Sequence, residues 1–387
     1  MKIALVHHWL PKMRGGERVL EAMCEMFPDS DIFTLVMTKS EISETIKKHK
    51  ITTSFIQKMP FGEKKYQFYL PLMPIAVEQF DLREYDIVIS SDASVMKGVI
   101  TRPDTLHISY CHSPIRYAWD LYHEYLNSTG LGYIKRKLMP IVMNYIRNWD
   151  SNASQRVDYF ISNSRHTANR IKKYYRRSSV VIYPPVDVDQ FKKGIEKSDY
   201  YLFLGQLTPY KGAELAVETF NNLEKKLIVI GSGERLSAVK KLAGDNVKVM
   251  GDCSRKEIID FLSKARALIY PCEEDFGIVP VEAQASGTPV IAYGRGGALE
   301  TINGVFTGEL PTSENTGIWF RNKSIEGLSE AIDWFESFET VFSDEQICNY
   351  VKHFNKERYK TEMDEFIQKK LDEFVSIDYT IKHDRLI

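Results

Sequence analysis

Cysteine is sparse in this chain. Five occur in 387 residues (Cys24, Cys111, Cys253, Cys272 and Cys348), odd in number and without a C-x-x-C pair. Neither a disulfide framework nor a zinc knuckle is encoded, so a reducing cytoplasm is expected. Long hydrophobic runs are missing too: no apolar stretch approaches the ~18–20 residues of a membrane span. Met1-Lys-Ile-Ala-Leu-Val6 leads straight into a strand pattern, without the charged region and cleavage site of an export signal. Net charge is almost absent, at −1, but it is uneven. Residues 1–200 carry 29 Lys and Arg against 22 Asp and Glu, and the remainder carries 22 against 30. A basic first half suits an anionic partner such as phosphate, nucleic acid or acidic lipid, although solvated surface charge gives the same count. Nucleic acid is the poorest of these, because no recognised nucleic-acid module accompanies the basic patches.

What is present is alternation. Short β-rich apolar runs fall at 2–6, 32–36, 86–90, 106–109, 158–162 and 180–183, then at 200–204, 226–230, 247–250, 267–270, 290–293 and 317–319. Helical patterns separate most of them, as at 15–26, 165–175, 212–223, 234–243, 255–263 and 325–336. Alternating β and α elements predict α/β architecture with doubly wound parallel sheets. The strands form two sets, divided near Tyr183-Pro-Pro-Val-Asp187 and the polar segment Lys192–Asp199, a hinge by composition. The expected organisation is two Rossmann-like domains facing a cleft, 1–185 and 186–357. A helix over 358–387 is expected to pack back onto the first domain, within a helical pattern running from Glu345 to Phe374.

The densest motif is Pro271–Ile291. It sets Glu274 and Glu282 eight positions apart around Phe276-Gly277-Ile278, between two apolar runs. A strand, a glycine loop, a helix and a second strand form a β-α-β unit of the kind that binds phosphorylated ligands. One carboxylate in the loop and one in the helix suit a polyhydroxylated ligand. Lys211, in the loop after the 200–204 strand, is placed to grip a diphosphate with helix-start amides. Gly231-Ser-Gly233 is an incomplete dinucleotide fingerprint and suits close backbone approach to a nucleotide. Arg14-Gly15-Gly16 offers a basic loop whose amides can approach phosphate or sugar. His112 and Arg116 lie in a strand-end loop dense in aromatics, fit for a sugar hydroxyl and a phosphate respectively. His7 and His8 read as strand-end packing, with no third ligand at a metal-site spacing. Asp187-Val-Asp189 sits in the hinge, away from any metal–nucleotide loop. Phe55–Phe80 and 131–149 mix basic with aromatic residues. They suit either an interfacial helix on anionic lipid or a helix packed on its own sheet.

Together these residues resemble the retaining glycosyltransferases of family 4, which have the GT-B fold of two Rossmann-like domains. The resemblance covers nearly the whole chain. It rests on Gly15-Gly16, His112, Ser162-Asn-Ser164, Tyr183–Asp187, Gly205 with Lys211, Gly231–Glu234 and Glu274-x7-Glu282 with Gly287-Thr-Pro-Val290 after it. The run Glu274–Gln284 with Gly296–Thr301 resembles GDP-mannose-dependent mannosyltransferases of bacterial surface polysaccharide synthesis, those of O-antigen and capsule. The family implies that Lys211 binds the donor diphosphate, Glu274 the transferred sugar and Glu282 the ribose. Amides around Phe276, Gly277 and Ile278 would hold sugar and phosphate oxygens. His112 would lie by the donor sugar and the acceptor hydroxyl, Arg116 by the acceptor. Arg14, Gly15, Gly16, Gln206, Gly231 and Gly233 complete the expected donor site. Gln206 departs from the pattern, since many members have arginine there; Arg14, Arg116 or Arg165 is expected to replace that cation.

Transfer is expected without metal or other cofactor, on one face of the sugar, with the departing phosphate oxygen accepting the acceptor's proton. The expected partners are a sugar nucleotide and a lipid-linked or oligosaccharide acceptor, at the inner face of the cell membrane, which the chain would touch peripherally. The rival readings are another family 4 donor, such as a UDP- or dTDP-sugar, a two-Rossmann sugar-nucleotide epimerase, and a non-catalytic sugar-nucleotide-binding scaffold.

Overall fold

The structure is a computed structural model, and it describes residues 1–127, 132–191 and 196–384. Residue 131 of the basic segment, residues 192–195 of the polar segment and residues 385–387 of the terminal helix lie outside the described residues. The chain divides into two compact units, Met1–Pro185 with Tyr359–Ile387, and Val186–Arg358.

Each unit is built on a seven-stranded parallel sheet. The first contains β1 (Ile3–His7), β2 (Asp31–Thr34), β3 (Ile51–Thr53), β4 (Ile87–Asp92), β5 (Leu106–Cys111), β6 (Tyr159–Ser162) and β7 (Ser179–Val181), in spatial order β3-β2-β1-β4-β5-β6-β7. The second contains β8 (Tyr201–Leu204), β9 (Leu227–Ile230), β10 (Val247–Gly251), β11 (Leu268–Tyr270), β12 (Val290–Tyr293), β13 (Gly304–Phe306) and β14 (Gly317–Phe320), in order β10-β9-β8-β11-β12-β14-β13. The central strands are covered on both faces, which is why they read as continuous apolar runs. All six residues of β4 and of β5 are buried. Two clusters clothe the first sheet, one around Val6, Val88 and Met96 and the other around Leu5, Ile89 and Ile108. In the second, Phe203, Val229, Ile269 and Ile291 pack with Phe220, Leu328 and Phe335 of the helices.

The sequence pattern misses β3 and β13. Both are three-residue edge strands of half-buried residues, so neither produces a hydrophobic run. The single helical pattern expected from Glu345 to Phe374 is also corrected. It is a helix Asp344–Tyr350, a 3₁₀ turn Val351–Phe354 and a helix Lys356–Asp384. Asn355 makes the break: it is extended, and its side chain accepts the Arg358 N–H at 2.8 Å, an N-cap bond. The break sorts the aromatic residues. Phe354 is buried against Phe276 of the second unit, whereas Tyr359, Met363, Phe366 and Ile367 enter the first unit's core.

Residues 55–80 are likewise not one amphipathic helix. They form short 3₁₀ turns and a helix Met73–Glu78, burying Ile56, Tyr66, Met73 and Val77 while Phe61 and Phe68 stay exposed.

Candidate active site

Strand order reverses between β1 and β4 in the first sheet and between β8 and β11 in the second, whose edge pair β14-β13 is transposed as well. In open α/β sheets, ligands bind beyond the carboxyl ends of the strands at such reversals. In the second unit, β8 runs into Gly205, exposed Gln206 and a 3₁₀ turn Pro209–Lys211. β11 runs through Glu274 and Phe276 into the helix Ile278–Ala285. Gly212 adopts φ +75°, and a Cβ there would stand 2.9 Å from the Pro271 carbonyl. Glycine thus lets the two loops touch.

Where they touch, the Lys211 ammonium forms an ion pair with the Glu274 carboxylate. Tyr270 donates its hydroxyl to Glu274 Oε2 at 2.8 Å. Burial alone would push the lysine's pKa down, but the charge of Glu274 beside it, with Tyr210 and Cys272, holds it above its ordinary value. The ammonium therefore stays charged. The pair is sheltered, with side-chain exposures of 13% and 19%, so salt screens it weakly and removing one partner leaves the other costly.

The backbone between the two acids is fixed as well. The Gly297 N–H donates to the Glu274 carbonyl at 2.7 Å, and the Phe276 ring packs edge-on against Phe354 at 5.3 Å. Gly277, at φ +91°, caps the helix without any side-chain bond to its first turn, the arrangement that suits an anion. Glu282 follows on that helix and accepts Arg255 Nη1 at 2.8 Å, and the Arg255 guanidinium lies 4.7 Å from the Phe191 ring centre. Arg255 was missed in the sequence. Its signal is Ser254-x-x-Glu257, a capping box that opens the helix Arg255–Lys264 and puts this arginine at its first position.

Gly231 and Gly233 have φ of +147° and +152°, and a Cβ on either would overlap the Gly205 or Leu207 carbonyl. Their close backbone approach is to the chain's own 205–207 loop, held by Leu207 N–H to the Ser232 carbonyl at 2.9 Å. As to the missing cation at Gln206, Arg14, Arg116 and Arg165 all belong to the first unit. The arginine beside that loop in the second unit is Arg235, whose N–H donates to the Leu207 carbonyl at 3.0 Å while its guanidinium pairs with Glu214.

In the first unit, Arg14 precedes the helix Gly15–Met26, and its N–H donates to Glu17 Oε2 at 3.1 Å. A Cβ on Gly16 would stand 3.3 Å from His8 Cε1, so the helix start packs on the histidines. Spacing found no third group for His7 and His8, but the fold supplies one. Ligating atoms of His7, His8 and Glu17 lie within 4.8 Å of one another, and all three residues are buried. His112 follows β5, with Nε2 2.8 Å from Ser91 Oγ, which in turn lies 3.0 Å from His7 Nδ1. Burial lowers the pKa of His112 to about 3, that of His8 to about 4, and that of His7 well below its ordinary value. Burial raises Glu17 to about 7. Near pH 7 this cluster holds neutral imidazoles.

Arg116 is engaged at 3.4 Å with Asp120, which also takes Arg170 at 2.8 Å. Ser164 caps the helix Arg165–Tyr175 by accepting the Thr167 N–H at 3.0 Å. Behind the histidines, sequence reasoning missed a fully buried set in which Lys97 bridges Asp92 and Asp150. Asp150 also accepts Trp119 Nε1 at 2.8 Å and the Tyr175 hydroxyl at 2.9 Å, so two buried carboxylates share one ammonium, and burial pushes the Asp150 pKa up.

Comparison with known proteins gives this arrangement its context. Residues 13–190 match the model described as Glycosyltransferase Family 4, and residues 185–352 match the one described as Glycosyl transferases group 1. The chain is 25% identical over 322 residues to the alpha-1,3/1,6-mannosyltransferase ALG2 of Kluyveromyces lactis, covering 67% of this chain and 61% of that one. It is 30% identical over 168 residues to the O-antigen chain mannosyltransferase RfbU of Salmonella typhimurium, covering 41% and 47%. The chain thus spans about half the length of the curated relatives it matches. Sucrose-phosphate synthase from Thermosynechococcus elongatus superposes with a TM-score of 0.70 at 16% identity, over 96% of this chain and 100% of that one. Anabaena HepE, solved with UDP and glucose, gives 0.68 at 16% over 95% and 99%. With one family model on each half and the two-sheet GT-B fold throughout, the chain belongs to the family 4 glycosyltransferases.

Proposed function

We propose that the protein is a retaining α-mannosyltransferase that transfers mannose from GDP-mannose to a lipid-linked or oligosaccharide acceptor in surface polysaccharide synthesis. One observation carries the reading. A half-buried lysine and a half-buried glutamate meet at the central strand-order reversal of the second sheet, beside a helix start without a side-chain cap. Bond cleavage places negative charge on the leaving diphosphate and positive charge on the anomeric carbon. In this reading Lys211 and the Gly277–Ile278 amides stabilise the diphosphate, the electrostatic contribution that commonly dominates such catalysis. Glu274 releases Lys211 to the phosphate and accepts hydroxyls of the sugar. Glu282, steadied by Arg255, takes the ribose hydroxyls. His112 meets the sugar as a neutral hydrogen-bonding group.

The departing phosphate oxygen accepts the acceptor's proton on the same face, which retains configuration without metal. The mannosyl and surface-polysaccharide elements are supported by the names of the relatives ALG2 and RfbU. Among the described residues no helix is long and apolar enough to cross a membrane. Peripheral contact at the inner face is supported by Leu138, Ile141 and Tyr145, exposed along one side of the helix Tyr133–Ala153 near Arg136 and Lys137.

The test is a thermal-shift comparison of GDP-, UDP-, ADP- and dTDP-sugars, followed by transfer with the stabilising donor to a membrane-extract acceptor. Stabilisation by GDP-mannose and acceptor-dependent GDP release are expected. Preference for a UDP- or dTDP-sugar would overturn the donor, and binding without release would favour a non-catalytic scaffold.

A further inference from the structure

Ser91 is buried, and its hydroxyl lies between two imidazoles, 3.0 Å from His7 Nδ1 and 2.8 Å from His112 Nε2. A hydroxyl has one proton to donate, and among the described residues Ser91 Oγ meets no hydrogen-bond partner other than these two ring nitrogens, so one of them must receive that proton. One ring must therefore donate to Ser91 Oγ while the other accepts from it, so the tautomers of His7 and His112 are locked to each other. The far nitrogen of His7 gives the direction. Nε2 is buried and meets no hydrogen-bond partner. A proton there would be a stranded donor, and buried donors without partners are rarer than bare acceptors. His7 thus carries its proton on Nδ1 and donates to Ser91, and Ser91 donates to His112 Nε2.

We propose that Ser91 and His7 are positioning residues that fix His112 as the tautomer protonated on Nδ1. His112 then offers an N–H to a ligand oxygen through that nitrogen and cannot serve there as a proton acceptor. The other nitrogen is already occupied by the Ser91 hydroxyl. This explains why a histidine at a transfer site need not be its base, and it leaves the acceptor's proton to the phosphate. Two further features hold the chain in place. His8 Nδ1 lies 3.3 Å from the Ser91 carbonyl, and β1 and β4 pair in register at His7 and Ser91. The inference rests on the reading that His112 meets the donor sugar.

The test is a long-range ¹H–¹⁵N spectrum of the whole protein labelled with ¹⁵N-histidine at pH 7, with the His112 signals identified as those lost in His112→Gln. His112 is expected to be protonated at Nδ1 and bare at Nε2, and Ser91→Ala is expected to shift it towards the Nε2-protonated form. Ser91→Ala should lower kcat about three- to tenfold, the worth of one hydrogen bond, with donor KM unchanged, and Ser91→Thr should restore it. An Nε2-protonated His112 in the wild type overturns the proposal, as does an unchanged tautomer in folded Ser91→Ala. Wild-type kcat in His112→Gln overturns the sugar contact instead, and is told apart because the spectrum reads the tautomer without turnover.

Discussion

The two units share a seven-stranded parallel sheet with a central reversal of strand order, yet the two reversals carry different chemistry. That of the second unit is charged and partly open: Lys211 with Glu274, and Arg255 with Glu282. That of the first unit has His112 hydrogen-bonded to Ser91, with the exposed Arg14 at the helix start after β1, and seals Asp92, Lys97 and Asp150 below. A diphosphate needs fixed positive charge, and a sugar hydroxyl needs only donors and acceptors. One fold thus yields an ionic end and a hydrogen-bonding end by changing a few loop residues.

The sharpest way to break this contrast is Lys211→Ala. We expect transfer to fall roughly 10²–10³-fold, as for loss of one preorganised donor to a developing anion, with circular dichroism unchanged. Near-normal GDP release would remove the lysine from the diphosphate. Arg255→Ala should raise donor KM about tenfold, the worth of a charge-assisted hydrogen bond, and leave kcat close to wild type. Steady-state kinetics at varied donor concentration separates the two parameters, and a kcat defect alone would sink the ribose role.

His112→Gln tests the neutral end through stability. A pKa of about 3 lies below the ordinary 6.5, so neutral His112 contributes stability that is complete above pH ~6.5 and is lost as the pH falls towards 3. Melting temperatures from pH 7 to 4 should therefore drop less steeply in the variant; parallel curves would contradict the buried neutral imidazole. Smallest of all, a chelator should leave transfer unchanged. Loss of activity with EDTA, restored by a divalent ion, would reverse the metal-independent reading and direct attention to His7, His8 and Glu17.

How much of this was legible in the sequence differs by level. The central strands declare themselves because they are apolar on both faces, as in Ile87-Val-Ile89 and Val290-Ile-Ala292. The edge strands β3 and β13 do not, since half-buried residues leave no run to read. Lys211 and Glu274 could be named as candidates because each ends a strand before a helix. Their ion pair, however, spans more than sixty positions and depends on a left-handed Gly212. Glu17 beside His7 and His8, Ser91 between two imidazoles, and Lys97 between two aspartates likewise arise from strands brought together by the sheet. No spacing rule along the chain contains them. Gly231 and Gly233 approach the 205–207 loop closely, a contact that the Gly-x-Gly spacing alone does not name.

The helix Lys356–Asp384 has a consequence for how the chain is made. Tyr359, Met363, Phe366 and Ile367 complete the core of the first unit, although they are synthesised after the whole of the second. During translation the 1–185 sheet must wait with the seat for these four side chains uncovered, while Val186–Arg358 already has every residue it needs. The unit synthesised first is therefore the one finished last. A chain that ends at Arg358 holds every residue of the second unit but an incomplete first one, a state that leaves apolar surface open to aggregation.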